Sequence, residues 1–289
     1  MNEKDKGLAP FRYMAAVTVV SVLLIILNVL LGMRIPFSAG FLVGYVGASL
    51  IFVVWHAVLT KGWKRSLVMF GLSFLVAFSA EALGVNFGLV FGRYYYTRAL
   101  GIAVLGVPIL AALSWEPIVY AAFCLSDMLA ARGEKPASPV RKSYSIWAAI
   151  IGALATTAWD LMIDPIAVSQ GWWVWVKGGS YLPYVAHGVP ITNFMGWLVV
   201  AFVINLIYRR LSDGMGATVA SAALSYYGPL VLYASLFITA MGVALTILQR
   251  PEVAMIGTLA MGPFIVITLT NLPLFLFKLR NLSTTTTKS

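Results

Sequence analysis

The sequence has little of the chemistry that binds metals or crosslinks a chain. It contains a single cysteine, Cys124, and only two histidines, His56 and His187. One cysteine excludes an intrachain disulfide and a thiolate cluster. Neither histidine lies in an HxxxH, HExxH or EF-hand pattern, so the usual spacing of zinc or calcium ligands is missing. The sequence therefore predicts no metal site.

Charged residues are also scarce. They make up 10% of the 289 residues, whereas 61% are hydrophobic, and the mean hydropathy is +0.90. Apolar runs of about 20 residues, the length with which a helix crosses a bilayer, recur along the whole chain. This composition excludes a soluble protein and leaves no room for a sizeable soluble domain. We expect an all-α, polytopic helix bundle that has the lipid bilayer as its partner.

The apolar runs predict eight transmembrane helices in one integral membrane domain, residues 1–289. The predicted spans are 13–31, 38–60, 66–90, 102–129, 143–166, 187–208, 217–248 and 253–277. With both termini in the cytoplasm, 15 of the 20 lysines and arginines lie on the cytoplasmic side, as the positive-inside rule requires. Orientation and anionic lipid thus explain the net charge of +10, and no nucleic acid partner is expected. We expect a multi-pass protein of a bacterial or archaeal cytoplasmic membrane, with the first span kept as an anchor.

A linker rich in proline, serine and cations, 131–142, divides the chain into two four-helix halves, 13–130 and 143–277. Each half contains an aromatic loop, "FGRYYYTRALGIAVLGVP" or "QGWWVWVKGGSYLPYVAHGVP", followed by isoleucine. The shared Gly-Val-Pro-Ile indicates either a parallel internal repeat or a short chance match, because proline is common at the start of any helix.

Carboxylates lie deep in two of the predicted spans. Counted at 1.5 Å per residue, Glu81 and Asp160 lie roughly 22 and 26 Å from the cytoplasmic ends of their helices. Asp164 follows Asp160 by one turn on the same face, and Pro165 is expected to end the helix. Asn193 lies at a similar depth on the returning sixth span. Because a carboxylate inside a span is costly unless it faces protein or water, these groups predict one shared polar cavity on the outer side.

Simpler interpretations of the same acids stay open. Asp164 could cap its helix at the interface, and Glu81 could pair with Arg93 or Arg98 in the following loop. Glu116, beside Pro117, could be a fourth cavity acid or a partner for backbone groups freed by the proline.

Several aromatic residues and one histidine are further candidates for the cavity. Trp159 adjoins Asp160, and Trp197 follows Asn193 by one turn, so both could face a bound molecule. Tyr94 and Tyr96 occur where an interfacial aromatic belt is expected. Trp115 and His187 complete the candidate substrate-binding set.

Four segments taken together resemble a known family. "EALGVNFGLVFGRYYYT", "GVPILAALSW", "AWDLMIDP" and "GVPITNFMGW" occur in this order and are similar to the multi-pass carotenoid biosynthesis proteins of the membrane carotenoid 1,2-hydratase and bisanhydrobacterioruberin hydratase type. The resemblance covers roughly residues 66–210. It implies addition of water to the terminal C=C bond of an acyclic, membrane-dissolved carotenoid, without a cofactor. Other membrane enzymes of the same pathway are candidate partners.

Such a reaction needs a proton donor, a shielded tertiary carbocation and one positioned water. We expect Asp160 to be the general acid, Asp164 or Glu81 the base that aligns water, and Asn193 the group that holds it. At least one of the two aspartates should then be protonated. Tyr94, Tyr96, Trp159 and Trp197 would flank the end group. A carotenoid end-group cyclase and a proton-coupled transporter are the alternative functions.

Overall fold

The architecture of the chain is a bundle of long apolar helices. The computed structural model describes residues 39–130, 142–176, 188–213 and 222–285, together with residues 12, 16, 180, 181 and 215. Its helices are α1 (Ala39–Lys61), α2 (Trp63–Phe87), α3 (Ile109–Ala130), α4 (Lys142–Ser169), α5 (Ile191–Leu211), α6 (Ala222–Gly242) and α7 (Pro251–Thr285). A π-helical turn, Val243–Ile247, continues α6.

Each of the seven helices is long and apolar enough to cross a membrane. The prediction of an all-α membrane bundle is therefore confirmed. The predicted first span, 13–31, and the linker 131–142 lie almost entirely outside the described residues, so the count of eight, the two halves and the orientation of the termini stay predictions.

Helix α3 forms the centre of the bundle. It packs against α1, α2, α4, α6 and α7, and its residues from Trp115 to Ser126 are all buried. The outer helices instead expose large apolar side chains such as Leu67, Leu75 and Leu259. In a bilayer these side chains would contact lipid. Contact with lipid does not carry the free-energy cost that exposure of the same side chains to water would carry.

The two aromatic loops pair with each other. Strand β1 (Tyr94–Tyr96) follows α2, and β4 (Trp173–Trp175) follows α4. They run antiparallel, with Tyr94 opposite Trp175 and Tyr96 opposite Trp173. This small sheet joins the loops at the same end of the bundle, next to the carboxylates of α2 and α4.

A second hairpin corrects the predicted start of the fourth span at residue 102. Strands β2 (Ala103–Val104) and β3 (Val107–Pro108) pair around Leu105 and Gly106, and α3 begins only at Ile109. Both turn residues have positive φ, 52° and 80°, as a tight hairpin turn requires. Hydropathy could not reveal this turn because the residues that flank it are as apolar as those of a membrane-spanning helix.

The expectation that Pro165 ends its helix was wrong. Helix α4 continues for one more turn to Ser169, with Pro165 inside it. Proline removes one backbone donor and disturbs one hydrogen bond, but its φ is compatible with a helix. In an apolar bundle, continuing the helix keeps the following backbone groups paired, which favours continuation.

Candidate functional site

The three deep carboxylates are all buried in the bundle. Glu81 on α2 is 4% exposed, and Asp160 and Asp164 on α4 are 0% and 2% exposed. The ion pairs among the described residues are Arg209–Asp127 and Arg250–Glu252. None of the three deep acids therefore has a cation partner in the described part of the chain.

Glu81 is held by three hydrogen-bond donors. Its Oε2 accepts from the hydroxyls of Tyr94 and Tyr96, the latter at 2.8 Å, and its Oε1 accepts from Trp115 Nε1 at 3.0 Å. Three donors and no acceptor are the surroundings that suit an ionised carboxylate. The interpretation of Glu81 as a partner of Arg93 or Arg98 is not what the structure shows.

The two tyrosines remain donors over a wide pH range. Burial, followed by the charge of Glu81, raises the pKa of Tyr94 and of Tyr96 well above the usual value of 10.0. Since a phenolate could not donate to Glu81, the raised pKa keeps the hydrogen-bond arrangement intact.

Gly84 makes room for Tyr94 one turn above Glu81 on α2. A Cβ at this position would lie 2.8 Å from Tyr94 Cε1 and 3.3 Å from its hydroxyl. Gly84 thus accommodates a loop side chain, while Gly88, with φ of 70°, caps the end of α2.

The aspartates on α4 share one amide. Asn193 Nδ2, in the first turn of α5, donates to Asp160 Oδ2 at 2.9 Å and also to Asp164 Oδ2. Both amide hydrogens are thus committed to the two carboxyls. Asp164 is buried one turn before the end of α4, so it is not an interfacial helix cap.

A small polar cavity brings Glu81, Asp164 and Asn193 together. The predicted shared cavity therefore exists for these three residues, whereas Asp160 lies behind it and does not line it. The remaining lining residues are aromatic or small: Phe91, Tyr94, Tyr96, Ala111, Ser114, Trp115, Trp173, Trp175 and Trp197.

A larger apolar cavity lies beside the polar one, between α1, α3, α4 and α6. Trp159, predicted near the reacting group, lines this cavity and not the polar one. The two cavities share Ala111, Ser114, Trp173 and Trp197 in their linings. The apolar cavity therefore adjoins the cavity that contains Glu81 and Asp164.

One predicted residue is not brought into this arrangement. Glu116 is buried but lines neither cavity, and it lies beside Ser73 of α2. His187 lies outside the described residues. Within the described part of the chain, no group of three or more His, Cys, Asp or Glu side chains is arranged to hold a metal ion.

Sequence reasoning did not include Trp173 and Trp175 among the candidate site residues. Both face the polar cavity because β4 pairs with β1 and carries them over the acids. The signal that could have found them is the aromatic content of both loops, since tyrosine and tryptophan favour paired strands.

Comparison with known proteins identifies the family. The profile of a family described as carotenoid biosynthesis protein matches residues 45–263, well over half of the chain. A bisanhydrobacterioruberin hydratase of Haloarcula japonica is 30% identical over 143 residues, which are 49% of this chain and 44% of that protein. The chain thus spans less than half the length of this relative. No solved structure matches the present chain significantly. The extent of the family match shows that the chain belongs to the carotenoid biosynthesis protein family.

Proposed function

We propose that this protein is a carotenoid hydratase, which adds water to the terminal C=C bond of an acyclic carotenoid and forms a tertiary alcohol. The observation that carries the proposal is the junction of the two cavities. Buried carboxyls face a small polar cavity that shares Trp197, Trp173, Ser114 and Ala111 with a large apolar one. A polyene in the apolar cavity would present its end group to the acids. The related hydratase of Haloarcula japonica supports the same type of reaction.

Asp164 is the proton donor in this proposal. It lines the polar cavity, whereas Asp160, the donor expected from the sequence, does not. Two adjacent carboxyls without a cation are not both ionised in a dry site, because like charges and burial favour the neutral form of one. We assign the proton to Asp164 because this residue faces the cavity, whereas Asp160 lies behind it; Asn193 donates to both.

The bond changes balance without an added reagent. The π electrons of the terminal double bond take the proton of Asp164 onto the CH carbon and leave a tertiary cation on the dimethyl carbon. The water oxygen forms the new C–O bond, and the proton that this water loses returns to the Asp164 carboxylate. Asp164 is then ready for the next turnover.

Glu81 stabilises the cation and orients the water. Three of its roughly four acceptor positions are filled by Tyr94, Tyr96 and Trp115, which leaves one for a water hydrogen. Its negative charge lies in the same cavity as the developing cation, where a preorganised countercharge has most effect. The aromatic faces of Trp173 and Trp197 add cation–π stabilisation.

A carotenoid end-group cyclase and a proton-coupled transporter are the competing functions. A cyclase would use the same proton donor but would close the cation on a second double bond. A transporter would need acids along a path through both halves of the membrane. In the described residues, Glu81, Asp164 and Asn193 instead converge on a single cavity, which supports the enzyme.

Expression in a lycopene-producing host, followed by mass analysis of the pigments, tests the proposal. Gain of one water per reacted end supports the hydratase. A product of unchanged mass would support the cyclase, and unaltered pigment in cells that contain the folded protein would contradict both enzymes for this substrate.

A further inference from the structure

Trp175, a residue of the polar cavity wall, carries a hydrogen-bond donor that is unpaired within the described part of the chain. The residue is 9% exposed and lines the cavity together with Glu81, Asp164 and Asn193. Its indole Nε1 is buried and has no hydrogen-bond partner among the residues that the structure describes. Leaving a buried N–H unpaired costs roughly 1–3 kcal/mol, so the chain gains when an acceptor occupies the cavity.

The indole of Trp175 is held in place by the sheet of the two loops. Trp175 lies directly opposite Tyr94 in the strand register, and their ring centroids are 4.6 Å apart. The hydroxyl of Tyr94 in turn donates a hydrogen bond to Glu81. The position of the free N–H is thus tied to the position of the carboxylate.

The indole N–H of Trp115, by contrast, is already paired. Trp115 lines the same cavity, but its Nε1 is satisfied by Glu81 at 3.0 Å. An indole N–H can only donate. The free N–H of Trp175 therefore binds only a hydrogen-bond acceptor. If the cavity holds an alkene end group and one water, that acceptor is the oxygen of the water or of the alcohol formed from it.

We propose that Trp175 donates a hydrogen bond to the oxygen nucleophile and thereby decides that the carbocation is captured by water. This proposal rests on the proposed hydratase function. The water would accept from Trp175 and donate one hydrogen to Glu81 and the other to the Asp164 carboxylate that later takes this proton. One lone pair then remains, and it faces the cation.

The most direct test measures binding of an alcohol and not turnover. The probes are 2,6-dimethylheptan-2-ol, which carries the tertiary alcohol of the product, and the matching hydrocarbon 2,6-dimethylheptane. Their affinities for the full-length protein in nanodiscs are measured by competition with a bound polyene that quenches tryptophan fluorescence. Wild type should prefer the alcohol, and Trp175→Phe should reduce the alcohol-to-hydrocarbon affinity ratio by about 5-fold, the usual effect of one neutral hydrogen bond.

Matched controls separate this role from a structural one. Trp147→Phe, at a position of α4 that is 64% exposed, should leave the ratio unchanged. Site-specific replacement of Trp175 by 3-benzothienylalanine keeps the ring shape and replaces N–H by sulfur, so it serves if the phenylalanine variant does not fold. An unchanged ratio in these Trp175 variants, or no preference for the alcohol in wild type, would overturn the proposal.

Turnover supplies a second measurement. In Trp175→Phe, kcat for the alcohol product should fall more than 10-fold with little change in KM, while the fraction of pigment returned as isomers of unchanged mass rises. If wild type adds no water to any carotenoid tested, the hydratase function fails. A Trp175-dependent alcohol preference would then still establish an oxygen-binding donor in this cavity.

Discussion

Trp115 and Trp197 stack face to face, with ring centroids 3.7 Å apart and an angle of 11° between their planes. Each lies nine positions after the glycine of a Gly-Val-Pro-Ile segment, Gly106 or Gly188. Trp115 donates to Glu81, and Trp197 lines both cavities. The stacked pair thus connects the carboxylate to the wall along which a substrate would lie.

Asp164→Asn should abolish the proposed proton transfer. We expect at least a 100-fold loss of kcat, within the range for removal of a general acid, because an amide at this position cannot protonate an alkene. The measurement is hydrated pigment formed per folded enzyme. Asp213→Asn, at an exposed position after α5, is the control and should retain wild-type turnover.

Asp160→Asn should reduce turnover less than Asp164→Asn does, because in this proposal Asp160 acts on the site through Asn193 and Asp164 and does not touch the substrate. We expect kcat to fall by about 10-fold. The measurement is the formation of hydrated pigment by both variants, assayed in the same membranes. A loss at Asp160 as large as that at Asp164 would return the donor role to Asp160, as the sequence alone had suggested.

Gly84→Ala should disturb the site without disturbing its helix. The new Cβ would lie 2.8 Å from Tyr94 Cε1, so the tyrosine must move away from Glu81. We expect kcat to fall by about 100-fold, the low end of what removal of one stabilising donor costs. Gly71→Ala on the same helix is the control, since nothing lies within 4 Å of its Cβ. Equal activity of the two variants would show that Tyr94 does not contribute.

Stability should decline in strong base through Tyr94 and Tyr96. Their pKa is raised in the folded state by burial and by Glu81, whereas an unfolded tyrosine ionises near pH 10. Above pH 10 the folded state therefore holds protons that the unfolded state has lost. This contribution is complete below pH 10 and is lost as the pH rises, at up to about 1.4 kcal/mol per pH unit for each tyrosine.

Thermal unfolding in detergent between pH 9 and 12 measures this slope, and absorbance of tyrosinate near 295 nm follows ionisation. Tyr96→Phe should make the decline shallower. Tyr95→Phe, with a side chain that is 51% exposed, should not change it. A wild-type slope unaffected by Tyr96→Phe would contradict the assignment.

The transmembrane class and the acidic residues of the site could be read from the sequence. Low charge and recurrent apolar runs are enough to require membrane helices, because the bilayer accepts little else. The high cost of a carboxylate in an apolar span similarly singled out Glu81, Asp160 and Asp164. Counting residues along each helix placed them at similar depth, since the rise per residue of a helix is constant.

Only the tertiary structure decided how these residues face one another. Depth does not specify rotation about a helix axis, so the sequence could not tell that Asp164 lines the cavity while Asp160 and Glu116 do not. The pairing of β1 with β4 brings together residues that are about eighty positions apart, and no local pattern records such a contact. The tryptophans of that sheet became part of the site for this reason. Which carboxyl meets the substrate, and which N–H remains free for its oxygen, therefore depends on packing between the helices and loops.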